Sequence, residues 1–195
     1  LSFTITSIGF ANKIIYRNKA KVNDDIYVTG NLGDSYMGLL TLKNRIKLNK
    51  SLNSYFINQY YKPNIQSKLA NQLIKFANTT IDISDGILSD LEKMVNVQKL
   101  SYKIILNNIP VSNNLKKTLV SKNLNKINFI SNGDDYQILF TSSKSKRGII
   151  ARISKSLGIK ITKIGTIQNK SMESLIIDEN NTVITLKNKG YLHKF

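Results

Sequence analysis

Residues 81–91 read Ile81-Asp82-Ile83-Ser84-Asp85-Gly86-Ile87-Leu88-Ser89-Asp90-Leu91. The approach through Thr80 and Ile81 is apolar and β-branched, the pattern of a buried strand. Two carboxylates, Asp82 and Asp85, then flank a hydroxyl, Ser84. Gly86 permits a sharp turn, and Ile87, Leu88 and Leu91 open a helical stripe. A strand that delivers acids to its C-terminal end just before a helix is a common ligand-holding device in sheets with helices. Mg²⁺ takes one or two protein carboxylates and completes its shell with phosphate oxygens and water, so Asp82 and Asp85 suit it. A plainer reading fits the same residues: Asp and Ser are ordinary helix N-caps and Gly ordinary turn chemistry. Both readings stand at this point, although two acids occupy a place where one cap would suffice.

The rest of the chain narrows the possibilities. Its 195 residues fit one large domain or one and a half. The apolar fraction of 41% supports a folded core. No apolar run approaches the roughly 20 residues that span a bilayer, and no secretory pattern opens the chain. The sequence has no cysteine and a single histidine, His193, which excludes disulfides and argues against zinc. That composition fits a cytoplasmic protein. The chain begins at Leu1 and enters directly into Phe3–Gly9, which alternates like a strand. A lone strand needs a partner sheet, which hints at a missing element before it.

A net charge of +17 raises the question of nucleic acid. Arginine, the usual bidentate reader of phosphates and bases, occurs only at Arg17, Arg45, Arg147 and Arg152. The lysines are scattered among asparagines and form no basic block. Nucleic-acid binding is therefore the weakest of the functional readings.

Strands are expected at Asp25–Gly30, at Thr80-Ile81, at Lys103–Leu106, at Tyr136–Thr141, and at Ile159–Ile167, Ser174–Ile177 and Thr182–Thr185. Helices are expected from Asp34 or Ser35 through Leu42, over Leu52–Tyr60, Ile65–Phe76, Ile87–Val97, Ser112–Lys122 and Lys146–Leu157. Asp34 or Ser35 can cap the first, and Gly30 and Gly33 would let backbone N–H groups approach an anion at its start. Gly158 suits the end of the last helix. Single strands separate the helices and the end is strand-rich. The expected architecture is α+β: a mixed sheet carrying helices mainly on one face.

A second acidic turn stands at Asn132-Gly133-Asp134-Asp135. Four of the chain's 12 acidic residues therefore sit in two turns, each beside a strand and a glycine. Asn-Gly-Asp-Asp is also an ordinary turn sequence, and that reading remains open here.

In order and spacing, three segments resemble the C-terminal domain of the thiamine-monophosphate kinase family, within the superfamily that includes aminoimidazole ribonucleotide synthetase and selenophosphate synthetase. They are Arg17 through Ala20-Lys21 to Asp25–Gly30 with Leu32-Gly33-Asp34 and Gly38-Leu39, Ile81–Gly86 with Asp90-Leu91, and Gly133–Tyr136 with Leu139-Phe140-Thr141. The closing Gly190-Tyr191 resembles the family's Gly-aromatic ending. The resemblance covers nearly the whole chain. It implies a domain fold like that of aminoimidazole ribonucleotide synthetase's C-terminal domain, and transfer of the γ-phosphoryl of ATP to thiamine phosphate with Mg²⁺, giving thiamine diphosphate. Carried over by position, Asp82 and Asp85 would hold Mg²⁺, Ser84 would contact the nucleotide and Arg17 its phosphates. Asp134 would sit at the thiamine-phosphate site and Tyr191 would pack on the substrate's rings.

The chain departs from the family pattern in three places. Asn132-Gly133-Asp134-Asp135 stands where the family has Gly-Gly-Glu-Asp. Lys19, Val22 and Asn23 replace a favoured Gly, Pro and Gly, and Lys194 interrupts the tail between His193 and Phe195. The family's N-terminal half, which carries most of the Mg²⁺ aspartates, a Gly-rich nucleotide segment and the homodimer contact, is not recognised here apart from its last strand near Leu1–Gly9, so the resemblance implies that residues 1–12 are that strand and its connection and residues 13–195 the C-terminal domain. The expectation is a C-terminal part inactive without that half, whether fused or supplied as a separate polypeptide. The alternative is a non-catalytic remnant or ligand-binding module of the same fold.

Overall fold

The computed structural model describes residues 3–6, 8–11 and 13–184. One six-stranded sheet organises them: β1 (Asp25–Thr29), β2 (Thr79–Asp82), β3 (Leu100–Ile105), β4 (Ile138–Ser142), β5 (Ile161–Asn169) and β6 (Leu175–Ile177). Their spatial order is β2-β4-β1-β5-β3-β6. Pairing is antiparallel throughout except between β3 and β6, so the sheet is mixed.

All five residues of β1 are buried, which explains its nearly unbroken apolar run. Ile26 and Val28 join the larger core with Ile81, Ile83, Leu139 and Ile104. The helix α4 (Ile87–Asn96) closes that face with Ile87, Leu88, Leu91, Met94 and Val95, an apolar stripe at helical spacing. Tyr27 belongs to a smaller core with Phe140, against which it stacks at 5.2 Å. There α3 (Ser67–Leu73) contributes Leu69 and Leu73, and α7 (Arg147–Leu157) contributes Ile150. The period-2 alternation of Ile26, Tyr27 and Val28 is what divides these two cores.

A third cluster joins α1 (Asp34–Leu42), α2 (Lys50–Tyr61), α5 (Asn113–Ser121) and α6 (Lys126–Ile130) through Met37, Phe56, Leu115, Leu119 and Phe129. Side-chain caps fix three of these starts: Asn49 accepts from Leu52 N–H, Ser112 from Leu115 N–H and Asn125 from Ile127 N–H. Gly158 ends α7 in the left-handed conformation, as its sequence position suggests.

Several local expectations need correction. Helix α6 went unforeseen, because five residues are too few to show a period. The helix expected over Ile65–Phe76 is shorter. No strand forms among the described residues of Phe3–Gly9, where Phe3, Ile5 and Ile8 are exposed and lack a partner strand to bond with. At the far end, only an isolated bridge from Ile177 to Val183 stands where a strand from Thr182 was expected. Thr185, Tyr191 and the rest of the tail lie outside the described residues.

Candidate functional site

The two acidic turns meet. β2 pairs with β4 in a register that sets Asp82 opposite Ile138. The pairing then runs beyond both strands. Ile83 N–H donates to the Gln137 carbonyl at 2.9 Å, Tyr136 N–H to the Ile83 carbonyl at 2.9 Å, and Asp134 N–H to the Ser84 carbonyl at 3.0 Å. Ser84 and Asp134, distant in sequence, are thus bonded backbone to backbone.

The glycines make this approach possible. Gly133 has φ 76°, and a Cβ there would collide with the Ser84 carbonyl. Gly86 has φ 108°, and a Cβ there would collide with the Ser131 carbonyl. Each turn therefore spends its glycine on the other turn. Asp134 and Tyr136 also carry positive φ, 59° and 49°. Asp tolerates this region, but for tyrosine it is a strained conformation of the kind concentrated at ligand sites.

The capping reading of Ser84 and Asp85 does not hold. The N-cap of α4 is Gly86, and no side chain caps it. The bonds run the other way: the Asp90 carboxylate accepts from Ser84 N–H and Asp85 N–H, both at 3.0 Å. Asp90 is 1% exposed. It clamps the turn from inside the helix by its backbone N–H groups, without engaging the Ser84 and Asp85 side chains. Lys93 donates to Asp90 at 2.7 Å and also to Asp85. Burial disfavours the Lys93 ammonium, yet the two carboxylates outweigh it and raise its pKa.

Ser84, Asp85, Asn132, Asp134 and Tyr136 line a cleft of about 570 Å³ together with Tyr36, Leu39, Leu40, Lys43, Arg45 and Tyr60. Its lining thus combines the two acidic turns with two cations and the aromatic rings of α1 and α2. Burial raises the Asp134 pKa, a hydrogen bond from Tyr136 works against it, and the Asp85 charge adds to the rise. Tyr136 is raised by burial, then by the charges of Asp134 and Asp82.

Three predicted residues therefore line this cleft, Ser84, Asp85 and Asp134, and Asp82 precedes them, exposed, at the end of β2. Arg17 is not among them. It lines a second cleft of about 590 Å³ with Tyr16, Asn18, Lys93, Asn96 and Val97. Lys93, bonded to Asp85, stands between the two clefts. Tyr191 lies outside the described residues.

Sequence reasoning missed the basic and aromatic lining. Tyr36, Leu39 or Leu40, and Lys43 recur at three- to four-residue spacing, a shared helix face that could have been read as cleft lining. It also missed Asp135, which is buried and accepts from Gly33 N–H with both oxygens, at 2.9 and 3.0 Å. The Gly33 N–H at the start of α1 is thus taken up by the chain's own Asp135. Asp34 does not cap α1; it accepts from the Tyr55 hydroxyl at 2.9 Å and from the Ser112 hydroxyl at 2.7 Å. Burial pushes Asp135 well above the usual carboxylate range.

The chain is 34% identical to a thiamine-monophosphate kinase of Buchnera aphidicola subsp. Acyrthosiphon pisum, over 99% of this chain and 60% of that protein. It is 32% identical to the thiamine-monophosphate kinase of Escherichia coli strain K12, again over 99% of this chain and 60% of that protein. This chain is a relative of the thiamine-monophosphate kinases. It spans about 60% of the length of these relatives. Among solved structures, AaThiL complexed with AMPPCP and TMP superposes with a TM-score of 0.74 at 26% identity, covering 91% of this chain and 53% of that one. No protein-family profile matches the chain. The fold and the sequence relationship thus agree with the motifs at Asp82–Gly86 and Gly133–Tyr136. Among the described residues, no helix is long and apolar enough to cross a membrane.

Proposed function

We propose that this chain is the C-terminal part of a thiamine-phosphate kinase that moves the γ-phosphoryl of ATP onto thiamine phosphate. The observation that carries this reading is the bonding of the two acidic turns to each other in one cleft that Lys43 and Arg45 also line. Phosphoryl transfer asks a protein mainly to position its substrates and to neutralise their charge. A cleft lined by both carboxylates and cations suits a metal–phosphate pair.

The residues fit Mg²⁺ in part. Asp82 is exposed and the Asp85 side chain is 27% exposed, so both present hard oxygens to solvent. Among the described residues no group of three or more His, Cys, Asp or Glu side chains could hold a metal. One or two carboxylates are nonetheless what Mg²⁺ takes when phosphate and water complete its shell. Bound there, Mg²⁺ would neutralise charge developing on the phosphate oxygens. Asp82 and Asp85 would hold the ion, Asp90 would fix their turn, and Ser84 would meet the nucleotide. Arg17 and Lys93, one cleft away, would face its phosphates. Asp134, Tyr36 and Tyr60 would bound the thiamine-phosphate end, where aromatic faces suit a cationic ring. Tyr191 would join them.

The relatives are longer than this chain. An N-terminal part, fused or separate, would supply further metal ligands, nucleotide contacts and any dimer interface, with residues 1–12 as the connection. A thiamine diphosphate formation assay tests the reading. The chain alone should give no product, and the chain with the N-terminal part of a relative kinase should give Mg²⁺-dependent product. Absence of product from that combination, with both parts shown to be folded, refutes it.

A further inference from the structure

One ammonium serves two carboxylates beside the proposed metal position. Lys93 donates to Asp85 and to Asp90, and the cluster keeps a net negative charge. The two acids are not equivalent. Asp90 is 1% exposed and is held by Ser84 N–H and Asp85 N–H, so it cannot move without unmaking the turn. Asp85 is partly exposed and, among the described residues, its side chain accepts a hydrogen bond from Lys93 alone, and the Lys93 side chain is 41% exposed. The Asp85 arm is thus the releasable one. A partly exposed ion pair has little net worth, because water competes for both charges and two side chains must be immobilised. The other shared pair has the opposite design: Asp25, fully buried, is gripped by Arg147 and Lys163 at once.

We infer that Lys93 is a resident cation which holds the place of a divalent ion at Asp85 and yields it when that ion binds. Asp90 keeps the displaced ammonium tethered on the wall of the Arg17 cleft. The inference rests on the reading of Asp85 as a metal ligand. It makes the Asp85 carboxylate neutralised and ordered before any metal arrives, so binding becomes an exchange of cations and not the filling of an open anionic site. Removing Lys93 should therefore tighten divalent-ion binding, whereas removing a cation elsewhere in the cleft should do much less.

The test titrates Mn²⁺, followed by the electron paramagnetic resonance of the free ion, into the 195-residue chain and its variants without nucleotide. Lys93→Met should bind Mn²⁺ roughly two- to fivefold more tightly than the wild type, the range expected for releasing a partly exposed pair. Lys93→Gln should behave alike, which guards against a fold defect in one variant. Lys43→Met makes the same charge change at the cleft that Asp85 lines, away from the Asp85 ion pair, and should shift affinity less than about twofold by screened long-range attraction. Equal affinity of Lys93→Met and wild type, an equal gain in Lys43→Met, or no binding by Lys93→Met at millimolar Mn²⁺ overturns the inference. Asp85→Asn separates the two levels: binding that survives it refutes Asp85 as a ligand. Binding that it abolishes, but that Lys93→Met leaves unchanged, refutes only the exchange.

Discussion

Substitution of Gly133 by alanine should separate the two acidic turns, and its cost can be worked from the backbone. At φ 76° an L side chain carries left-handed strain of roughly 1–2 kcal/mol. The new Cβ would also strike the Ser84 carbonyl oxygen and carbon, which are backbone atoms and cannot rotate aside. Relief requires the turn to withdraw, at the expense of the bond from Asp134 N–H to the Ser84 carbonyl, worth about 1 kcal/mol net. A loss of about 2–4 kcal/mol is expected, a large fraction of a domain stability near 5–15 kcal/mol. Urea unfolding of both proteins measures it. Gly148→Ala is the control: that glycine lies in α7 with nothing within 4 Å of an added Cβ, so the change should be neutral or stabilise by up to about 1 kcal/mol. A Gly133→Ala loss below about 1 kcal/mol would show that the turns do not depend on this close approach.

Leu91→Ala should cost about 2–5 kcal/mol by the same urea measurement, because it empties a fully buried position where α4 meets the sheet. Asp135→Ala removes the acceptor of Gly33 N–H and should cost about 1–3 kcal/mol, with faster amide exchange at the start of α1 as its local signature. Burial opposes the charge of Asp25, but Arg147 and Lys163 outweigh it and hold the carboxyl at about 2. Its folded value lies below its ordinary value of 3.8, so this stabilisation is present above 3.8 and lost as pH falls toward about 2. Urea midpoints in that window should flatten in Asp25→Asn. Asp135 acts in the opposite sense: burial raises it, so its contribution is full below the ordinary carboxylate range and declines as pH rises through the raised value. Asp135→Asn should therefore reduce the fall in stability toward neutral pH, and an unchanged slope would refute the assignment.

The sheet was legible because its strands are short, β-branched and separated by clear helical stripes. Asp25–Thr29 and Ile87–Asn96 were placed from pattern alone, within a residue or two. What escaped was decided by tertiary pairing. No local signal tells that Asp135 satisfies Gly33, or that Asp90 turns back onto Ser84 and Asp85. Both are buried carboxylates answering backbone N–H groups, and such partners are assigned by three-dimensional proximity. The cleft's acidic lining was visible as two motifs, but their union was not, since it depends on the antiparallel register of β2 and β4. Lys43 and Arg45 were hidden by a composition in which basic residues are everywhere, so that no single one stands out. Arg17 shows the converse: a residue chosen by motif alone lies in a neighbouring cleft.

The bond between Ser84 and Asp134 also bears on how the molecule comes into being. Its partners belong to segments separated by α4, β3, α5 and α6, so it closes a long loop of chain. Contacts of that span form late, after local helices and hairpins have already gained their stability. During synthesis, the first acidic turn must wait without its mate until β4 has been made. A ligand that recognises the paired turns would therefore act only on chains that have finished folding, and its capture in a refolding time course would mark the final step of assembly.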